Sequence, residues 1–229
     1  MIEIVIAIST GVAAFVATNL DDILILTILF SQTGKLFRRR DIVIGQYIGF
    51  ILLVIASLAG FFGCFLIPTP WIRYLGLVPV ILGIFSLLKE EEEEEPENVE
   101  VDLEGAKNSP FGGWFDSRTY SVAALTVANG SDNIGIYVPL FASSTVTSLI
   151  VIVRVFLILV GVWCAIAYGL TSVPTIATIL TSQGSTFVPC VLIGLGIFIV
   201  KESIPLTFLA LAISYLWAIV DRGKGITRK

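Results

Sequence analysis

From Ile42 to Ile67 the chain reads IVIGQYIGFILLVIASLAGFFGCFLI, without one charged residue. A predominantly apolar run of about 18 residues or more is long enough to cross a bilayer as a helix. In lipid the backbone has few other choices, because each N–H and C=O must find a partner inside the segment or inside a closed barrel. Seven runs of this kind can be read: Ile2–Phe30, Ile42–Ile67, Trp71–Leu88, Thr119–Phe141, Leu149–Leu170, Ser182–Val200 and Ser203–Val220. The last two are divided only by Lys201, Glu202 and Pro205, so the count is six or seven. The chain is 56% hydrophobic and 14% charged, where a soluble domain carries about 25% charged residues. The fold class expected is therefore all-α, a polytopic membrane protein in the cell (inner or plasma) membrane. The apolar start at Ile2 lacks a basic leader and a small-residue cleavage site, and reads as a retained first span.

The polar stretch Lys89–Arg118, with its Glu90–Glu95 run, Pro96 and Pro110, cannot bury enough apolar area to fold. It divides the chain into a first membrane unit (1–88), an acidic linker (89–118), a second membrane unit (119–202) and a closing helix with a basic tail (203–229). Lys and Arg favour cytoplasmic loops. Seven spans with the N-terminus outside place eleven of the fourteen basic residues inside, among them Lys35, Arg38, Arg39, Arg40 and the tail from Arg222 to Lys229. Only Arg73 and Lys201 fall outside, with Arg154 inside a span.

The two units repeat. A shift of 110 aligns Val12-Ala13-Ala14 with Val122-Ala123-Ala124, Asn19 with Asn129, and Asp22 with Asp132. A shift of 113 aligns LGIF at Leu82–Phe85 with LGIF at Leu195–Phe198. Two units of three spans, an odd number, enter the membrane from opposite sides, which makes an inverted repeat of the transporter kind with one extra helix at its end.

The aligned positions carry the only concentrated polar chemistry in the spans. The first unit reads TNLDDI and the second ANGSDNI. Asn, Asp and Ser bond their own backbone and favour turns over helix, and paired interruptions in two transporter halves point to a midplane binding site. A carboxylate at the bilayer centre costs at least ~2.5 kcal/mol. Asp22 and Asp132, which recur at equivalent positions, are thus candidate ligands and proton carriers. Asn19, Asn129, Asn133 and Asp21 are candidate further oxygen ligands, Asp21 facing Ser131 in the repeat. Taken singly, Asn19, Asn129 and Ser131 read first as hydrogen-bonding residues between helices and only second as ligands. Unwound carbonyls, amide oxygens and carboxylates form an all-oxygen donor set that suits a divalent cation. Arg154 reads either as a snorkelling side chain or as a counter-ion that occupies the carboxylates when substrate leaves. Gln46 packs between helices or adds an oxygen.

Gly45, Gly49, Gly60, Gly63, Gly83, Gly194 and Gly196 read as helix-packing positions. Cys64, Cys164 and Cys190 have no CxxC spacing and read as small apolar residues, a thiolate metal site being the alternative. The chain has no His, which removes His-based relays and Ser-His-Asp chemistry. No basic stripe suggests nucleic acid as a partner, and no cofactor is expected. A homo-oligomer is compatible with the sequence.

NLDDILILTILFSQ near the start, LTVANGSDNIGIYVPLFA (Leu125–Ala142) and the closing PCVLIGLGIFIVKES (Pro189–Ser203) resemble the cadmium-resistance transporters of the CadD type, in the lysine-exporter superfamily. The likeness runs over essentially the whole chain. It implies efflux of a divalent cation, Cd²⁺ in the naming members, driven by proton influx. The oxygen-rich donor set fits Mn²⁺, Ca²⁺ or Mg²⁺ at least as well as Cd²⁺, and the substrate expected is a metal ion such as Cd²⁺, Zn²⁺ or Mn²⁺. It carries the motif onto Asp22, Asp132, Asn129 and Asn133. The same superfamily leaves an amino-acid exporter as an alternative, although its substrate carboxylate would find only Arg154 for a charged partner. An intramembrane aspartyl protease is a remote third reading, since its Gly-x-Gly-Asp pattern is absent and NGSD is a loose echo.

Overall fold

A computed structural model describes residues 2–34, 36–63, 74–88, 116–172 and 191–200. Within them the regular elements are helices: α1 (Ile2–Thr18), α2 (Asp22–Ser31), α3 (Arg39–Gly63), α4 (Leu77–Leu88), α5 (Ser117–Asn129), α6 (Asn133–Ala142), α7 (Val146–Leu170) and α8 (Val191–Val200). Cys64, Cys190, the Glu90–Glu95 run, the Ser203–Val220 span and the basic tail lie outside the described residues.

Over the described residues the expected second and fifth spans are single unbroken helices, α3 and α7, of 25 residues each. Both are long and apolar enough to cross a membrane. Their exposed faces carry Ile51, Leu52 and Ile55 on α3, and Ile150, Ile158 and Val162 on α7. Such faces suit lipid, because acyl chains are as apolar as the side chains that meet them. The first and fourth expected spans are each two helices. α1 and α2 meet at a bend of 64° and count together as one further candidate span. α5 and α6 are separated by Gly130, Ser131 and Asp132.

The breaks have local causes. At the end of α1 the Thr18 hydroxyl donates to the Ala14 carbonyl at 2.9 Å, and the Asn19 amide side chain donates to the Phe15 carbonyl at 2.9 Å. These bonds add to the main-chain ladder, since the Asn19 N–H still reaches the Phe15 carbonyl at 3.0 Å; back-bonding of this kind bends a helix, and Leu20 and Asp21 form a turn. At the end of α5 the Gly130 N–H bonds the Thr126 carbonyl and the Asn133 N–H bonds that of Gly130, which closes a turn. Between α2 and α3 a tight hairpin turns at Gly34, whose φ of 88° lies in the left-handed region that glycine tolerates.

The halves are built alike. α2 and α6 both have 10 residues. Burial matches position by position at the shift of 110, from Ile23 and Asn133 to Phe30 and Leu140, and again from Leu53 and Trp163 to Ser57 and Ala167. Val80 and Ile84 on α4 share a small apolar cluster with Ile193 and Ile197 on α8, which are their counterparts at the shift of 113. Packing between the halves is reciprocal: α1 and α2 lie on α7, and α5 and α6 lie on α3.

Glycines set how closely the broken spans approach. A Cβ on Gly45 would sit 2.6 Å from the Val122 Cβ, one on Gly49 2.6 Å from the Thr126 Cβ, and one on Gly60 2.5 Å from the Val138 carbonyl oxygen. α3 therefore touches α5 and α6 backbone to backbone. Gly196 meets Gly76 and Val80 in the same way, whereas Gly63 and Gly194 have nothing within 4 Å and do not serve as contacts between the described residues. Behind the breaks lies a buried aromatic group. Phe15 is 5.5 Å from Phe50 and 5.2 Å from Trp163, and Tyr137 is 4.8 Å from Phe156, centroid to centroid. Tilted and edge-on pairs of this kind contribute about 0.5–1.5 kcal/mol beyond their area.

Candidate functional site

The two breaks meet. α1 runs parallel to α7, since Thr145 and Ser148 at the start of α7 bond Glu3 while Trp163 further along reaches Asn19. α5 runs parallel to α3, with Gly45 against Thr119 and Leu53 against Gly130. Asn19, Asp21 and Asp22 are thereby brought against Asn129, Asp132 and Asn133.

Asp22 is the centre of this meeting. It opens α2, is 6% exposed, and accepts hydrogen bonds from both halves. Asn129 Nδ2 donates to its Oδ1 at 2.6 Å, and Gln46 Nε2 donates to its Oδ2 at 3.1 Å. Gln46 Oε1 in turn accepts from the Thr126 hydroxyl at 2.7 Å. Asn129 also donates to Asp21 at 3.3 Å, so one amide spans both carboxylates of the first break. Asp21, Ser131 and Asp132 are exposed. The charge of Asp132 acts on Asp21 and on Asp22. The repeat-equivalent carboxylates thus have different settings, Asp22 enclosed and Asp132 open.

A second network lies beside the first. The Asn19 side chain, 1% exposed, donates to the Thr18 hydroxyl at 2.7 Å and the Tyr137 hydroxyl at 2.8 Å, and Thr18 and Tyr137 are themselves 2.7 Å apart. Asn133, 2% exposed, approaches Asn19 Oδ1 at 3.5 Å. The main-chain carbonyl of Asn19, left over where α1 ends, accepts from Trp163 Nε1 at 2.6 Å. In this arrangement Asn19 fastens α1 to α6 and α7, and its carbonyl already has a partner.

Of the residues predicted from sequence, Asn19, Asp21, Asp22, Asn129, Asp132 and Asn133 are all gathered at the breaks. Arg154 is not. It is exposed, and it lies nine residues before Trp163, roughly 13 Å away along the axis at the helical rise. Sequence reasoning missed Thr18, Thr126, Tyr137 and Trp163, and left Gln46 between packing and ligation. Among the described residues no group of three or more His, Cys, Asp or Glu side chains comes together as a metal site. Cys164 is a free buried thiol. The donors present are therefore mixed, carboxylate with amide, and hard in character.

A model of the family described as cadmium resistance transporter matches residues 15–212. No curated protein matches the chain, and no solved structure does.

Proposed function

The chain belongs to the cadmium resistance transporter family, and from that premise we propose that it is a secondary transporter which exports a divalent cation from the cytoplasm in exchange for protons. Metal efflux is the family's activity, and it is transport, not enzyme catalysis. The observation that carries the finer reading is Asp22, a carboxylate enclosed at a helix break and bonded from both halves. A buried carboxylate in a membrane protein marks an ion path or a proton relay. With Asp21 and Asp132 exposed beside it, the site presents negative charge, which attracts a cation and repels a carboxylate substrate. That disfavours the amino-acid exporter. Arg154 stands apart on an exposed face, which favours its headgroup role over that of counter-ion.

The proposed cycle uses the same atoms twice. A cation such as Cd²⁺, Zn²⁺ or Mn²⁺ passes the exposed carboxylates Asp21 and Asp132, displaces protons, and is held by Asp22 with Asn129, Asn133 and Asn19 as amide donors nearby. The reciprocal packing of each broken span on the other half's long helix supports an inverted repeat. Rocking of one half on the other would then turn the site from one side of the membrane to the other. N-terminus outside and C-terminus in the cytoplasm is the orientation proposed, in the cell membrane, with the lipid bilayer as surroundings.

The test is metal-dependent proton release in everted membrane vesicles across a panel of Cd²⁺, Zn²⁺, Mn²⁺ and Ca²⁺. Asp22→Asn and Asp132→Asn are each expected to abolish it. Release that survives Asp22→Asn would remove this residue from the cycle.

A further inference from the structure

Gln46 sits 5% exposed between the Asp22 carboxyl group, which accepts from it, and a hydroxyl that can both donate and accept. Its Nε2 faces Asp22 Oδ2 at 3.1 Å, and its Oε1 faces Thr126 Oγ1 at 2.7 Å. Thr126 Oγ1 also lies 2.9 Å from the Val122 carbonyl oxygen one turn back. A hydroxyl has one hydrogen to give and lone pairs with which to accept. Thr126 can thus give its hydrogen to Gln46, or give it to Val122 and accept from Gln46 instead. A primary amide turned by 180° keeps its shape and exchanges its donor end for its acceptor end.

The two arrangements suit two occupancies of the site. Facing Asp22 with no cation bound, Gln46 presents its NH₂ to a carboxyl oxygen that accepts whether or not the other oxygen carries a proton, and its own oxygen is satisfied by Thr126. Facing a carboxylate that holds a divalent cation, that NH₂ would set partial positive charge against the metal. The turned amide offers the cation an oxygen, gives its NH₂ to Thr126 Oγ1, and leaves the Thr126 hydrogen to Val122. No polar group loses its partner in either state. The second half has no such device: the position 110 further on is Phe156, buried against Phe15, Phe50 and Tyr137.

We propose that Gln46 turns its amide when the cation binds and becomes an oxygen ligand to it, with Thr126 as the positioning residue that satisfies both orientations. This inference rests on the reading that Asp22 holds the cation.

Calorimetric titration of the purified full-length protein with Cd²⁺ alone and with Mn²⁺ alone tests it. Gln46→Met puts a soft thioether in place of a hard oxygen, so Mn²⁺ affinity should fall by about tenfold or more, and Cd²⁺ affinity by much less. Gln46→Glu keeps an oxygen and should keep the wild-type Cd²⁺/Mn²⁺ ratio. Thr126→Val should weaken both metals about tenfold, and Thr126→Ser should restore them. An unchanged ratio in Gln46→Met overturns the proposal, whether both affinities stay or both fall together. If Gln46→Met does not fold, equal affinities in Thr126→Val and Thr126→Ser overturn it instead. Asp22→Asn in the same titration separates the two claims. Binding that survives Asp22→Asn removes the site, whereas binding lost there with a wild-type ratio in Gln46→Met removes only the turning amide.

Discussion

Replacing Gly49 by alanine should drive α3 and α5 apart. The new Cβ would lie 2.6 Å from the Thr126 Cβ and 2.7 Å from the Ala123 carbonyl oxygen. Ordinary carbon contacts are about 3.5–4.0 Å, so the helices must separate by roughly 1 Å. Both obstructing groups are backbone or directly attached to it, and neither can swing aside. The same separation would stretch the Gln46–Thr126 bond from 2.7 Å beyond hydrogen-bonding distance. Overpacking costs about 1–3 kcal/mol, and a lost interhelical bond adds about 0.6 kcal/mol. Alanine returns up to about 1 kcal/mol of helix propensity. The net loss is then about 1–3 kcal/mol, which at about 2–4 °C per kcal/mol for a chain of this size is a fall in melting temperature of about 2–12 °C. The assay is thermal melting of the detergent-solubilised protein, read by the surviving monomer peak in size exclusion, with metal flux measured in parallel. Gly169→Ala on α7 is the control, because a Cβ there meets nothing within 4 Å, and its melting temperature should hold or rise. A Gly49→Ala protein that melts and transports like wild type would refute the close contact of α3 with α5. Equal damage from Gly169→Ala would show that the loss does not come from this contact.

Other expectations concern the second network and the isolated arginine. Trp163→Phe keeps a ring against Phe15 but leaves the buried Asn19 carbonyl without its donor, and should cost about 1–3 kcal/mol by the same melting assay. Tyr137→Phe keeps the stack with Phe141 and Phe156. It removes a hydroxyl shared by Thr18 and Asn19, for about 0.5–1.5 kcal/mol in unfolding experiments. Arg154→Gln should leave Cd²⁺ flux within about twofold of wild type, because a side chain that reaches only headgroups snorkels and does no work at the site. A flux lost in that variant would restore the counter-ion role.

How much could be read beforehand depended on whether a residue's effect is local. The breaks were legible because Asn19, Asp21 and Asp22, and Gly130, Ser131 and Asp132, disturb a helix wherever they stand. The helical class followed from the apolar runs, and the repeat pairing Asn19 with Asn129 and Asp22 with Asp132 brought the right elements together. The angle of the first break, 64° between α1 and α2, was not legible, since hydropathy averages over a bend. Partners over a hundred residues away were not legible. In the sequence Trp163 and Tyr137 are apolar residues among others, and only packing shows their polar ends turned to Asn19. The repeat offered one signal that went unused: Trp163 stands where the first half has Leu53, a donor in place of a hydrocarbon. The unequal burial of Asp22 and Asp132 was hidden for the same reason, because equivalence in sequence does not fix what covers a side chain.

The central claim is that Asp22 holds the transported cation where the two breaks meet. Uptake of radioactive Cd²⁺ into proteoliposomes, comparing wild type with Asp22→Asn at matched folded protein, tests it most directly. The account predicts saturable uptake by wild type and uptake by Asp22→Asn no greater than that of empty liposomes. Saturable uptake retained by Asp22→Asn would contradict it.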